Sequence, residues 1–310
     1  MSGVSPHFNP KLGFVLALIT SVMWGAVPLA MTPLVADATP ITISWIRMTT
    51  AGVVLFVIFA ANGQLKRMPM PVGIERWLLL GAVLMLAANF VLYVSSLSFI
   101  AAPVAQSIVQ IAPVLLMIGS LFVFGERFVR TQWIGFVVLL IGILVFCAER
   151  LKVKNAAFDV FSNGVLLMFI AAVCWAIYGI AQKRLLFRMR SQNVLMMIYL
   201  CCSVLMFPFT ELTVVPTLDV LQTGLLTFLA ANTLIGYGAF AEALHRWDAS
   251  KVSAVLAFQP VVTLFGASLL GWLVPAHWPQ EPFTVTAVLS ALVVVMGSMM
   301  CALGANWGRT

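Results

Sequence analysis

Residues 101–127 read AAPVAQSIVQIAPVLLMIGSLFVFGER, an apolar run carrying two glutamines and a central proline, with charge only after its last aromatic residue. About 20 apolar residues at roughly 1.5 Å each match a hydrocarbon core of about 30 Å, so the stretch has the length of one membrane crossing. In water the same surface would drive aggregation. Pro113 removes one helix hydrogen bond and its ring presses on the preceding turn. That predicts a kink at mid-membrane, with Gln106 and Gln110 on the turns just before it. Pro260 recurs in a similar setting in the second half of the chain.

The rest of the chain has the same character. Of its 310 residues 62% are hydrophobic and 9% are charged, against about 25% charged in soluble domains, which excludes a soluble globular class. The formal charge of +7 does not form a basic stripe interleaved with aromatics. Lys and Arg instead sit in short gaps between apolar runs, so they read as topology determinants and no nucleic-acid partner is expected. Cys147, Cys174, Cys201, Cys202 and Cys301 lie in or at the edge of apolar runs, without a CxxC pair or nearby histidines. That is the pattern of small packing residues rather than of a metal site. His7, His245 and His277 are scattered, and no GxxxxGK[ST] loop occurs. No enzyme, cofactor or ATP-driven step by this chain alone is therefore expected. Lys11 precedes an apolar run that continues through Trp24 and Pro28 to Val35 without a small-x-small cleavage signature, so this run is expected to stay as the first helix.

Ten apolar segments can be marked, at 12–35, 40–61, 77–97, 101–124, 133–148, 164–182, 194–209, 220–243, 252–273 and 283–303. The fifth and seventh are short, and the longest gap, 149–163, divides the chain into halves, 1–155 and 156–310. If the segments alternate across a bilayer, one side holds thirteen Lys and Arg and the other only Arg150, Lys152 and Lys154. Positive loops stay cytoplasmic, which places both termini inside and requires an even number of crossings. Residues 12–31, LGFVLALITSVMWGAVPLAM, also lie over residues 163–182, NGVLLMFIAAVCWAIYGIAQ, with Trp24 on Trp175 and Ala30 on Ala181. The fourth and ninth segments add Pro113 on Pro260 and Gly119 on Gly266. Five helices per half is an odd number, so the second copy enters from the opposite side. The expected fold is an all-α membrane protein of ten transmembrane helices arranged as an inverted five-plus-five repeat.

The chain resembles the drug/metabolite transporter superfamily, specifically its ten-helix EamA-type members. The resemblance runs over essentially the whole chain and rests on Trp24-Gly25, on Arg47 within SWIRMTTAG, and on the small-residue stretch from Ser98 through Pro113 to Gly125, Glu126 and Arg127. The second half departs from it, reading GWLVPAHWPQE after Pro260 with no counterpart of GER. The resemblance implies a bacterial inner-membrane carrier, often an exporter of amino acids or related metabolites, with a central cavity lined by both halves.

The residues themselves offer candidates for that cavity. Arg47 lies about seven residues, roughly 10 Å of helix rise, inside the second segment. At such depth an arginine must face water or a partner, a substrate anion or the carbonyls of a neighbouring helix, or snorkel outward. Asn89, Tyr93, Gln106, Gln110, Tyr178, Asn232, Tyr237 and Gln259 are the other deep polar groups, each suited to lining a cavity or to bonding between helices. Gln110 and Gln259 flank the two prolines and are expected to meet a substrate from both sides. Trp24 and Trp175 are expected as aromatic walls near the two ends of the cavity, or as interfacial packing residues. No Asp or Glu falls near the middle of a segment, which favours facilitated diffusion or exchange over proton coupling, with Glu242 and His245 the remaining proton candidates. With the export role that the resemblance implies, the expected function is a secondary transporter exporting small amphipathic metabolites, amino acids or related compounds, by alternating access. Its partners are a small-molecule substrate and the lipid bilayer. The alternatives are a lipid-linked or nucleotide-linked carrier, which would need more than one deep cation, and a non-transporting membrane subunit.

Overall fold

The computed structural model describes residues 9–65, 68–124, 129–154, 158–246, 252, 255–279 and 284–307. Gly125, Glu126 and Arg127 lie outside that set. Helix starts follow the local sequence. Asn9 caps α1 (Pro10–Met31) by accepting from the Leu12 N–H at 3.1 Å, and Pro10 sits at its first position, where a missing N–H costs nothing. Pro40 opens α2 (Pro40–Ala61) in the same way, and Gly73, at φ 55°, leads into α3 (Ile74–Ser96). There follow α4 (Ala102–Ile108), α5 (Ile111–Phe124), α6 (Arg130–Lys154), α7 (Phe158–Leu185) and α8 (Ser191–Met206). The chain ends with α9 (Val220–Arg246), α10 (Gln259–Leu273) and α11 (Val285–Trp307). Asp219 and Gln222 form a reciprocal capping box at α9, the Gln222 N–H reaching Asp219 Oδ1 at 2.6 Å and the Asp219 N–H reaching Gln222 Oε1 at 3.1 Å. No β-strand occurs among the described residues.

Among the described residues seven helices are long and apolar enough to cross a membrane, and three shorter apolar stretches, Ala102–Leu116, Gln259–Leu273 and Val285–Cys301, accompany them. Side chains such as Phe14, Phe56, Ile134, Leu144 and Val285 are exposed on their flanks, as expected where lipid is the solvent. Two expectations need correction. The short segment 133–148 is the middle of a 25-residue helix, α6, and the gap at 149–163 is largely helical, because α6 runs to Lys154 and α7 starts at Phe158. Glu149, Arg150, Leu151 and Lys152 are good helix formers, so the helix continues past the end of its apolar run. The kink expected at Pro113 is instead a full break. Pro113 has no N–H for the Val109 carbonyl, which accepts from Ala112 at 2.9 Å, and the chain turns at Val109-Gln110 before restarting as α5. Residues 257–258 break likewise before Pro260, with the Phe258 N–H on the Val255 carbonyl at 3.2 Å.

Packing sets the outline. α1 lies on α9 and α10, α7 on α3 and α5, α2 on α8, α4 on α10, and α6 on α11. The α6–α11 contact is backbone against backbone: a Cβ on Gly135 would stand 2.6 Å from the Cys301 nitrogen, and one on Gly297 would meet Leu139 and, at 2.8 Å, the Gly135 carbonyl. Small residues at such a crossing let helices approach where lipid supplies no hydrophobic drive. Gln132 Nε2 donates to the Cys301 carbonyl at 3.0 Å and ties the same pair. Across α2 and α8, Trp45 Nε1 donates to the Ser203 carbonyl at 2.9 Å, and Thr49 Oγ1 lies 2.6 Å from Ser203 Oγ.

Candidate functional site

A cavity of about 110 Å³ lies in the middle of the bundle, walled by α1, α2, α3, the α4–α5 break, α7, α9 and the approach to α10. Nine of the eleven candidates from the sequence line it: Trp24, Arg47, Asn89, Tyr93, Gln106, Gln110, Trp175, Tyr237 and Gln259. The other two stand outside its wall. Tyr178 is buried in the apolar cluster of α3, α7 and α8. Asn232 donates through Nδ2 to the Met23 carbonyl at 2.7 Å, clamping α9 to α1 beside Trp24. Val27, Phe90, Val109, Ala112, Pro113 and Leu256 complete the lining and escaped a search confined to polar residues and tryptophans. Phe90 had a signal: it stands three residues before Tyr93, on the same helix face.

Arg47 is 5% exposed. Its Nε donates to Thr233 Oγ1 at 3.1 Å, and Thr233 passes its own proton to the Leu229 carbonyl at 2.9 Å, so the threonine lone pair is aimed at the guanidinium. Cζ of Arg47 stands 4.6 Å over the ring of Phe90. Three helices thus hold one cation at the cavity wall. The arginine does not snorkel to an interface.

A hydrogen-bonded chain crosses the cavity. Tyr93 donates to Gln106 Oε1 at 3.0 Å, and Gln106 Nε2 donates to Gln259 Oε1 at 2.6 Å, joining α3, α4 and α10. The sequence reading expected Gln110 and Gln259 to meet a substrate from both sides; both line the cavity, and the amide bonded to Gln259 is that of Gln106. Gln106 is in the last turn of α4, whereas Gln110 falls in the break, where no side-chain hydrogen bond among the described residues holds its amide. Asn89 donates to the Ala171 carbonyl at 2.8 Å, binding α3 to α7.

The aromatic wall is continuous. The ring of Trp24 lies 4.9 Å from Tyr237 and 5.2 Å from Phe240, and Tyr237 is 6.4 Å from Phe90. Beside Trp24, Gly25 lets α1 close on α10: a Cβ there would stand 2.8 Å from Val262 Cβ, and Thr263 Oγ1 donates to the Gly25 carbonyl at 2.6 Å. A second cavity of about 230 Å³ is bounded by Leu29, Thr32, residues 97–103, Ala267, Trp278 and Pro279. On α1 and α10 its residues follow those of the central cavity along the chain, on α4 they precede them, and the two cavities share no lining residue. Glu242, a proton candidate from the sequence, is paired with Arg246 at 2.6 Å near the end of α9. Among the described residues no cluster of His, Cys, Asp or Glu is arranged to hold a metal.

The chain is similar to the inner membrane transporter YhbE of Escherichia coli K12, at 37% identity over 96% of this chain and 93% of that one. It is also similar, at 24% identity over 95% of this chain and 96% of the other, to an E. coli K12 protein named a probable amino-acid metabolite efflux pump. A solved crystal structure shares the fold with a TM-score of 0.68 at 18% identity, over 97% of this chain and all of the other. The model of the EamA-like transporter family matches residues 11–148 and again residues 162–303, once on each side of the α6–α7 junction. Two matches that take in nearly every described helix, α7 included from residue 162, leave one conclusion: the chain belongs to the EamA-like transporter family.

Proposed function

We propose that the chain is a ten-helix secondary transporter, built as an inverted five-plus-five repeat, that exports small amphipathic metabolites such as amino acids by alternating access. The observation that carries this reading is the central cavity, which draws its wall from both halves of the chain and offers amides and rings around a single cation. The packing supports the repeat. A Cβ on Gly119 of α5 would meet Ile180 of α7, and one on Gly266 of α10 would meet Leu29 of α1. These are corresponding residues when Trp24 is laid on Trp175 and Pro113 on Pro260. The double family match and the relative named for amino-acid metabolite efflux support the same reading. The thirteen-to-three division of basic residues supports cytoplasmic termini in an inner-membrane carrier.

In this reading the Tyr93–Gln106–Gln259 chain closes the passage between the two cavities and opens when the halves rock against each other. A carrier of nucleotide-linked or lipid-linked cargo would need several deep cations for its phosphates, and the cavity holds only Arg47. The deciding experiment is reconstitution of the purified chain in liposomes, followed by counterflow with a labelled metabolite extract. Selective accumulation above protein-free vesicles is expected; its absence across the whole extract would overturn the reading.

A further inference from the structure

We infer that the substrate binds as an organic monoanion, with a carboxylate at Arg47 on an apolar body of aromatic size and no requirement for an amino group. The inference deepens the transport reading and rests on it. Arg47 is 5% exposed and lines the central cavity. Only its Nε has a hydrogen-bond partner among the described residues, Thr233 Oγ1 at 3.1 Å, and no described carboxylate pairs with it. A guanidinium withdrawn from water without a counter-charge is costly to hold, and an anion entering the cavity removes that cost. With Nε taken and one face laid over Phe90 at 4.6 Å, the terminal nitrogens remain for a ligand. Two N–H groups side by side match the two oxygens of a carboxylate.

The rest of the wall sets the body of the ligand. Trp24, Phe90, Trp175 and Tyr237 present rings, and no Asp or Glu lines the cavity. The side-chain oxygens of Gln106 and Gln259 already accept from Tyr93 and from Gln106. An ammonium group would find ring faces and the amide of Gln110, but no carboxylate to balance its charge. A zwitterion's ammonium finds no counter-charge, a dianion exceeds the single positive charge, and a monoanion balances it.

Phenylalanine, 3-phenylpropionate and 2-phenylethylamine share one body and differ only in their charged groups, so they separate the terms. Binding to the purified full chain in detergent, read by thermal shift and calorimetry, should be at least as tight for 3-phenylpropionate as for phenylalanine. It should be about 10-fold weaker or absent for 2-phenylethylamine. Arg47→Gln should weaken 3-phenylpropionate by about 30-fold or more, with Arg47→Lys intermediate. The wild-type panel stands even if a variant does not fold. Tighter binding of phenylalanine than of 3-phenylpropionate by 10-fold, binding of the amine at similar strength, no binding by any of the three, or an unchanged Arg47→Gln would each overturn the inference. Should counterflow with the metabolite extract still show accumulation, the transport reading survives that result; no accumulation at all ends both.

Discussion

Arg47 depends on one hydroxyl. Thr233→Val keeps the volume and removes the acceptor of the Nε proton, leaving a buried donor unpaired at an expected cost of about 1–3 kcal/mol. Thermal unfolding in detergent should show the lower midpoint, and an unchanged midpoint would mean that water or another group replaces the threonine. The tryptophans make a different test, because both are walls of one cavity while standing on helices from opposite halves. Trp24→Ala and Trp175→Ala are each expected to slow counterflow about 10-fold or to broaden selectivity, since each removes an aromatic contact worth roughly 1 kcal/mol beyond its area. Wild-type rates and selectivity in both variants would reduce the rings to packing. At this scale much of the site was legible: a deep arginine, deep amides and paired tryptophans are rare enough in an apolar chain to name themselves. Phe90 was harder to read, because its place one turn before Tyr93 is a weak mark for one ring among 22 phenylalanines until its contact with Arg47 is known.

Among the elements, the two proline breaks shape the cavity most. Pro113 goes with the end of α4 at Ile108 and leaves Gln110 in a turn, and the amide that reaches α10 is Gln106. A proline announces a lost hydrogen bond, but whether the helix bends or stops depends on what receives the freed carbonyl, here the Ala112 N–H. Gln106→Ala cuts the chain at both of its bonds and is expected to open the passage between the cavities. A cysteine placed near Gln259 should then react faster with a membrane-impermeant thiol reagent applied from the side of the second cavity; an unchanged rate would show that the amides do not form the closure. The α6–α11 pair is built differently. Gly297→Leu drives a side chain into the backbone of α6, with a loss of folded yield and a midpoint drop corresponding to several kcal/mol expected. Ligand affinity per folded molecule should change less than twofold, since neither helix lines the central cavity.

For the whole molecule, the charge of the empty site has a mechanical consequence under the proposed cycle. Reorientation with Arg47 unpaired is disfavoured relative to reorientation with an anion bound, so substrate on the far side should speed efflux by about 10-fold, a loaded-return effect of roughly 1.4 kcal/mol. Equal efflux with and without substrate on the far side would remove this coupling, and uphill transport abolished by collapse of the proton gradient would show that protons drive it. What the sequence determined by itself is the class of the molecule: an all-helical chain of long apolar segments, and its family. Those follow from length, hydropathy and spacing along the chain, which are local quantities. What only the tertiary structure decided is which polar groups meet: Gln106 with Gln259, Arg47 with Thr233 and Phe90, and Asn232 with the backbone of α1 instead of with the cavity. The reason is that helices apolar on all sides carry no stripe to set their rotation. Their facing is chosen by close packing at small residues and by a few buried hydrogen bonds between segments far apart in the chain.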